Sequence, residues 1–286
     1  MNSSASTTTD STDRRRKYPQ VIDTDDIQLL RQAYMTMEHP SLAARLSNVI
    51  GTPIELAMGL LPRYWYKKLH GTAENALAKA LSVATGSMRR QHSNNGRELY
   101  YRGVVGGCGA VSGFFGLPGL LVELPITTTL MLRGIAEIAR AEGEDIHDTD
   151  TQAACLQVFA LGGKSEIDDA AETGYYGVRL ALSSYMSASI AHVTQQGLAG
   201  QSAPLLIQLV RAVAKPFGIT LSQRAAAQTL PVIGAAGAAA VNVIFIHHFQ
   251  DMARAHFIVR RLERKYGEAF IRARYEEFEQ KDQTSR

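Results

Sequence analysis

The chain has 286 residues, 45% of them hydrophobic and 20% charged, with a net charge of +3. That length can bury one large core, the mean hydropathy of −0.09 excludes a polytopic membrane protein, and so mild a positive balance makes no case for nucleic acid. Two cysteines, Cys108 and Cys155, exclude a disulfide framework, and their apolar neighbours suit two buried, reduced thiols in a cytoplasmic protein.

The first 20 residues, MNSSASTTTDSTDRRRKYPQ, are polar where a signal peptide would be apolar, and they read as a disordered tail. Their basic run, Arg14 to Lys17, has the charge to be drawn to anionic lipid headgroups. From residue 21 onward strand-like alternation is missing, and helix formers fill the periodic runs between glycines and prolines. A first helix is predicted over 24–38 with Thr24 as its cap, and a second over 41–59, interrupted at Pro53. Pro62 opens a third, which runs to about residue 91 and begins with the aromatic and basic stretch RYWYKK. The loop HSNNG leads into a glycine-rich apolar segment that GLPG, at 116–119, breaks from a helix ending at Gly143. Thr149 and Gln152 form a capping box for a helix to Gly162, and a longer helix covers 166–196. A short helix over 205–214 ends at Pro216, and Thr220 with Gln223 gives a second capping box. A long helix over 234–266 and a charged one over 268–280 complete the reading, leaving 282–286 as a polar tail.

The segment RGVVGGCGAVSGFFGLPG has the glycine content of a nucleotide loop without its chemistry. No lysine follows the glycines as a phosphate loop requires, position 112 is Ser, and no βαβ pattern surrounds Gly107-Cys108-Gly109. Gly103, Gly106, Gly109, Gly113, Gly116 and Gly119 instead recur every three or four residues, along one helical face. Each glycine costs about 0.8–1 kcal/mol against alanine in a helix, so close backbone packing has to compensate. Gly234, Ala235, Gly237, Ala238 and Ala240 offer a second smooth surface, and the two are expected to touch.

Three charge-free runs, 103–122, 180–210 and 225–250, raise the question of a bilayer. A spanning helix needs about 20 apolar residues. Pro118 splits the first run, the second is rich in Ser, Gln and His, and the third carries Asn242, His247 and His248. Buried core is therefore the leading reading, ahead of a hairpin dipping into or lying on a membrane, with a true spanning helix third. Glu123 and Arg133 are the only charges in the 103–133 region, and burial should pair each of them, with one another or elsewhere. His247 and Asp251 lie four apart on one helical face, close enough to share a metal, while His256 falls on an apolar stripe. A metal site needs three or more converging ligands, so no metal and no cofactor is expected.

Two blocks carry a family resemblance. GLPGLLVELPITTTLMLRGIAEIARAEGED combines a Gly-Leu-Pro-Gly turn, an acid, a proline and an arginine-bearing helix. VAKPFGITLSQRAAAQTLPVIGAAGAAAVNVIFIHHFQDMARAHFIVRRLERKYG combines a Pro-Val-Ile-Gly-Ala entry, an asparagine after small residues, and a long helix ending Lys-Tyr-Gly. Together they resemble the EcsC family over residues 25 to about 275. The matching positions are Gly116, Leu117, Pro118, Gly119, Glu123, Pro125, Arg133, Pro231, Gly234 and Asn242, whereas the His247-His248 pair departs from the pattern. The resemblance implies an all-helical bacterial domain in a family named for a gene beside an ABC transporter linked to secretion. Some members carry a peptidase-like label, but the resemblance assigns no catalytic residue.

The sequence is thus read as one all-α domain over 21–281, with its two Gly/Ala-rich segments packed centrally. The leading function is a non-catalytic accessory protein, cytoplasmic or peripheral at the inner face of the membrane, whose partner is the membrane surface or a membrane protein complex. The alternatives are a hydrolase using Glu123, Arg133, Asn242 and His247, with Asp251 as a further polar candidate, and a carrier of a lipid or other apolar ligand.

Overall fold

A computed structural model describes the main chain at 21–88, 97–163, 174–196, 204–229 and 234–285. Side chains are described at 21–80, 117–163, 174–185, 207–229 and 236–284. Ten α-helices and no strands are found among these residues. They are α1 (Thr24–Glu38), α2 (Leu42–Ile50), α3 (Ile54–Leu60), α4 (Arg63–Met88), α5 (Arg97–Ala141), α6 (Thr149–Leu161), α7 (Tyr175–Gln196), α8 (Pro204–Thr229), α9 (Gly234–Tyr266) and α10 (Glu268–Ser285). The protein is all-α, as its periodicity predicts.

Three junctions follow from glycine's access to the left-handed region. Gly51 (φ 67°) closes α2, Gly143 (φ 82°) follows α5, and Gly267 (φ 92°) separates α9 from α10. Other boundaries differ from expectation. The GLPG sequence does not break the chain: α5 runs 45 residues through Pro118 and Pro125. Pro216 likewise lies inside the 26 residues of α8. A proline inside a helix costs roughly 3 kcal/mol, through a missing N–H and a clash one turn back. Packing supplies the compensation, since α5 lies against α4, α6, α8 and α9. The capping boxes also move. Asp148, not Thr149, caps α6 by accepting from the Asp150 amide, and Thr220 sits mid-helix in α8. The predicted cap of α1 shifts similarly, since Asp23 occupies that position and its side chain makes no capping bond. The last helix continues past residue 280 to Ser285. The predicted start at 166 falls in 164–173, outside the described residues, and α7 is seen from Tyr175.

The core runs through α1, α4, α5, α6, α8 and α9, with Leu30, Leu69, Leu120, Leu124, Phe159, Phe217, Phe245 and Phe249 fully buried or nearly so. Trp65 packs inward, as its place in RYWYKK allowed. A second, smaller cluster joins α2 and α3 to α8 and α9 through Leu46, Ile50, Ile54, Ala227 and Val241.

Helices α5 and α9 lie side by side and run in the same direction. Glu123 of α5 meets Arg224, whose guanidinium stacks on Phe245 of α9. Just past the end of α5, Glu142 and Glu144 meet Arg261 and Arg260, further along α9. The expected contact between glycines 103–116 and the start of α9 lies outside the described side chains. Bare main chain does meet bare main chain elsewhere: a Cβ on Gly163 would stand 2.3 Å from the carbonyl of Pro216. Beside it, a Cβ on Gly162 would stand 2.5 Å from the Phe249 ring.

Candidate functional site

The most buried charge in the described structure is Arg224. It is the only charged residue between Lys215 and Asp251, as Glu123 is between Arg102 and Arg133. The fold brings these two isolated charges together. Arg224 Nη2 donates to Glu123 Oε1 at 2.8 Å, with the side chains 0% and 4% exposed. Thr127, one turn along α5, donates to the same oxygen at 2.8 Å. The guanidinium stacks on Phe245, 4.9 Å from the ring centroid. Asn242, three residues before Phe245 on α9, is buried as well. Glu123 Oε2, Arg224 Nε and Nη1, Asn242 Oδ1 and Thr128 Oγ1 make no hydrogen bond. The pair is matched in charge but incompletely bonded, so its attraction offsets the cost of removing both charges from water only in part.

The remaining predicted residues do not join this locus. Arg133 is half-buried, and Glu123 takes Arg224 rather than Arg133 as its partner. His247 is exposed. It stands five residues from Asn242, about 140° around the helix at 100° per residue, so the two look opposite ways. Asp251 lies at the surface between Arg45 (3.4 Å) and Arg254 (3.0 Å). Pro118 is exposed on α5, while Gly119 and Pro125 are half-buried. Gly116 and Gly234 belong to α5 and α9, with no side-chain surroundings described, and Pro231 and Cys108 fall outside the described main chain or side chains. No group of three His, Cys, Asp or Glu side chains is placed to hold a metal among the described residues.

Two further networks are polar and buried, and the sequence reading found neither. Around Glu144, Arg260 donates at 2.8 Å to its Oε1 and also to Asp150, Arg264 donates to the same carboxylate, and Thr151 adds a bond at 3.2 Å. Burial alone would raise this carboxyl, but the bonds and charges of Arg260 and Arg264 outweigh it and hold it below the usual range. Around Tyr175, Arg179 donates to the phenol oxygen at 3.2 Å, and the same hydroxyl shares a hydrogen bond with His256 Nδ1 at 3.0 Å. His256 Nε2, equally buried, makes no hydrogen bond. Complete burial, helped by the charges of Arg179 and Arg260, depresses His256 well below ordinary histidine. His248 bonds the Gly162 carbonyl at 2.8 Å and is also depressed, chiefly by burial. Cys155, fully enclosed, has its thiol pushed up to about 12 by burial, which makes it an inert core residue. These networks pair residues more than 80 positions apart, a separation at which no local pattern signals a partner.

The fold and this interior define an all-helical domain built around a sealed ion pair shared by α5, α8 and α9. The model of the EcsC protein family matches residues 25–262, and the chain belongs to that family. No curated protein and no solved structure matched the chain in comparison.

Proposed function

We propose that the protein is a non-catalytic accessory of the EcsC type that acts by contact, held peripherally at the inner face of the cytoplasmic membrane and serving a transport or secretion complex there. One observation carries the reading: large apolar side chains are left in water on neighbouring helices. Leu56, Leu60, Tyr64, Val122 and Ile126 keep between 44% and 76% of their surface exposed. A solvated monomer tolerates scattered exposed apolar residues, but a gathering on consecutive elements favours an interaction surface. Residues 117–141 of α5 are long and apolar enough to cross a membrane. Yet Leu120, Glu123, Leu124, Met131, Leu132, Ile135 and Ala139 of that stretch pack inside the fold, which favours lying on a membrane over spanning it. Cell fractionation tests the reading. The protein should sediment with membranes and be released by carbonate. Recovery only in the supernatant before the wash, or only with detergent after it, defeats the proposal.

A further inference from the structure

We infer that the docking surface is helix α3 with the first turns of α4, and that its occupant is the anionic headgroup layer of a phospholipid membrane. This rests on the membrane-contact reading above and adds to it the place and the lipid chemistry.

Leu56 and Leu60 stand four apart on one face of α3, and Tyr64 follows four residues later, beyond the turn at Leu61 and Pro62. They are 63%, 70% and 62% exposed. The opposite face of α3 is anchored: Ile54 and Ala57 are buried with Leu46, Ile50, Ala227 and Val241. The Tyr66 hydroxyl donates to the Met58 carbonyl at 2.6 Å and ties α3 to α4. The two leucines therefore cannot turn inward, and the surface is presented rigidly. Basic residues follow at once. Arg63, Lys67 and Lys68 are exposed, and Glu55 is the only acid between Ile54 and Lys68. Lys68 sits 5.2 Å above the ring of Trp65, while Arg63 and Lys67 form no ion pair within the described structure. Apolar side chains flanked by an aromatic ring and bases match the layering of a membrane interface, hydrocarbon below and anionic phosphate above. Another exposed pair, Val122 and Ile126 on α5, has no base between Arg102 and Arg133, so charge favours α3 and α4 over it.

The test is cosedimentation of the whole protein with vesicles of phosphatidylcholine, alone or mixed with phosphatidylglycerol, alongside fractionation of cells expressing the same variants. The wild type should bind the mixed vesicles, ignore the neutral ones, and be released by salt. Leu56→Asp/Leu60→Asp should abolish binding. Arg63→Glu/Lys67→Glu should weaken it at least thirtyfold, given about 1 kcal/mol for each basic contact. All four positions are exposed, and unchanged thermal melts would show that neither variant acts by unfolding. Binding that survives in both variants removes the surface and leaves membrane contact standing. Membrane recovery in cells with no vesicle binding points to a protein partner and overturns the lipid assignment alone. Absence from both membranes and vesicles overturns both proposals.

Discussion

Arg224 shows how one residue can fix a packing arrangement. Its charge is removed from water entirely, and a single carboxylate oxygen, itself supported by Thr127, and one aromatic face receive it. Removing one member of such a pair leaves the other uncompensated, at a cost of about 3–5 kcal/mol, whereas replacing both with apolar groups is often neutral. We expect Arg224→Met or Glu123→Leu alone to lower stability by that amount in urea melts, and the double variant to regain most of it. A double variant no better than the singles would mean that the pair holds more than its own charges. Glycines make a second residue-scale contrast. Gly163→Ala drives a Cβ into the Pro216 main chain, which has no side chain to swing away, and should cost more than about 3 kcal/mol. Gly134 is helical and its would-be Cβ meets nothing within 4 Å, so Gly134→Ala should add up to about 1 kcal/mol. Paired thermal melts of these two variants would check the signs.

At the scale of elements, helix type and most helix ends were legible because amphipathic period, left-handed glycines and acidic starts are local properties. The long runs of α5 and α8 were not. Pro118 and Pro216 look like helix ends by their local cost, but surrounding helices decide whether a proline ends a helix or is carried through. Among the site residues, the pairing rule correctly required a partner for Glu123. The partner was itself legible as the lone charge in an apolar stretch, and Arg133 drew attention instead because it was nearer in sequence. The Glu144 cluster is different, since it depends on α9 returning beside the end of α5. It ties three elements at one point, and Glu144→Gln should leave the buried Arg260 poorly matched, at a cost of about 2–4 kcal/mol. The loosening should be local. Amide exchange ought to rise first at 142–152 and in the last turns of α9, and a uniform rise across the chain would argue against a local clasp.

For the whole molecule, acid stability follows in part from the two imidazoles enclosed among the described residues. His248 and His256 are held below the ordinary histidine value of about 6.5, so on acidification the unfolded chain takes up protons first. Their contribution is complete above pH ~6.5 and is lost as pH falls toward their lowered folded values. Asp26, held low mainly by its bond from Lys265, and Glu144 act in the same direction but at lower pH, keeping their contribution above about pH 4 and losing it as pH drops through their depressed values. Between roughly pH 6.5 and 4.5 the slope therefore belongs to the histidines, and can approach about 1.4 kcal/mol per pH unit for each. His256→Asn keeps a side chain able to hydrogen-bond Tyr175 and cannot titrate, so its stability profile should be shallower across that window. An unchanged slope would assign the acid sensitivity to other groups.

One consequence arises from the lone indole of this chain. Trp65 is the only tryptophan, 7% exposed, beneath Tyr64 and Lys68 on the inferred docking face. Its emission comes from a single place, a few ångströms behind the groups that would meet lipid. Ultraviolet excitation of the unlabelled wild type therefore reports events at that spot without any added dye, and brominated acyl chains should quench it only when the protein arrives α3 first.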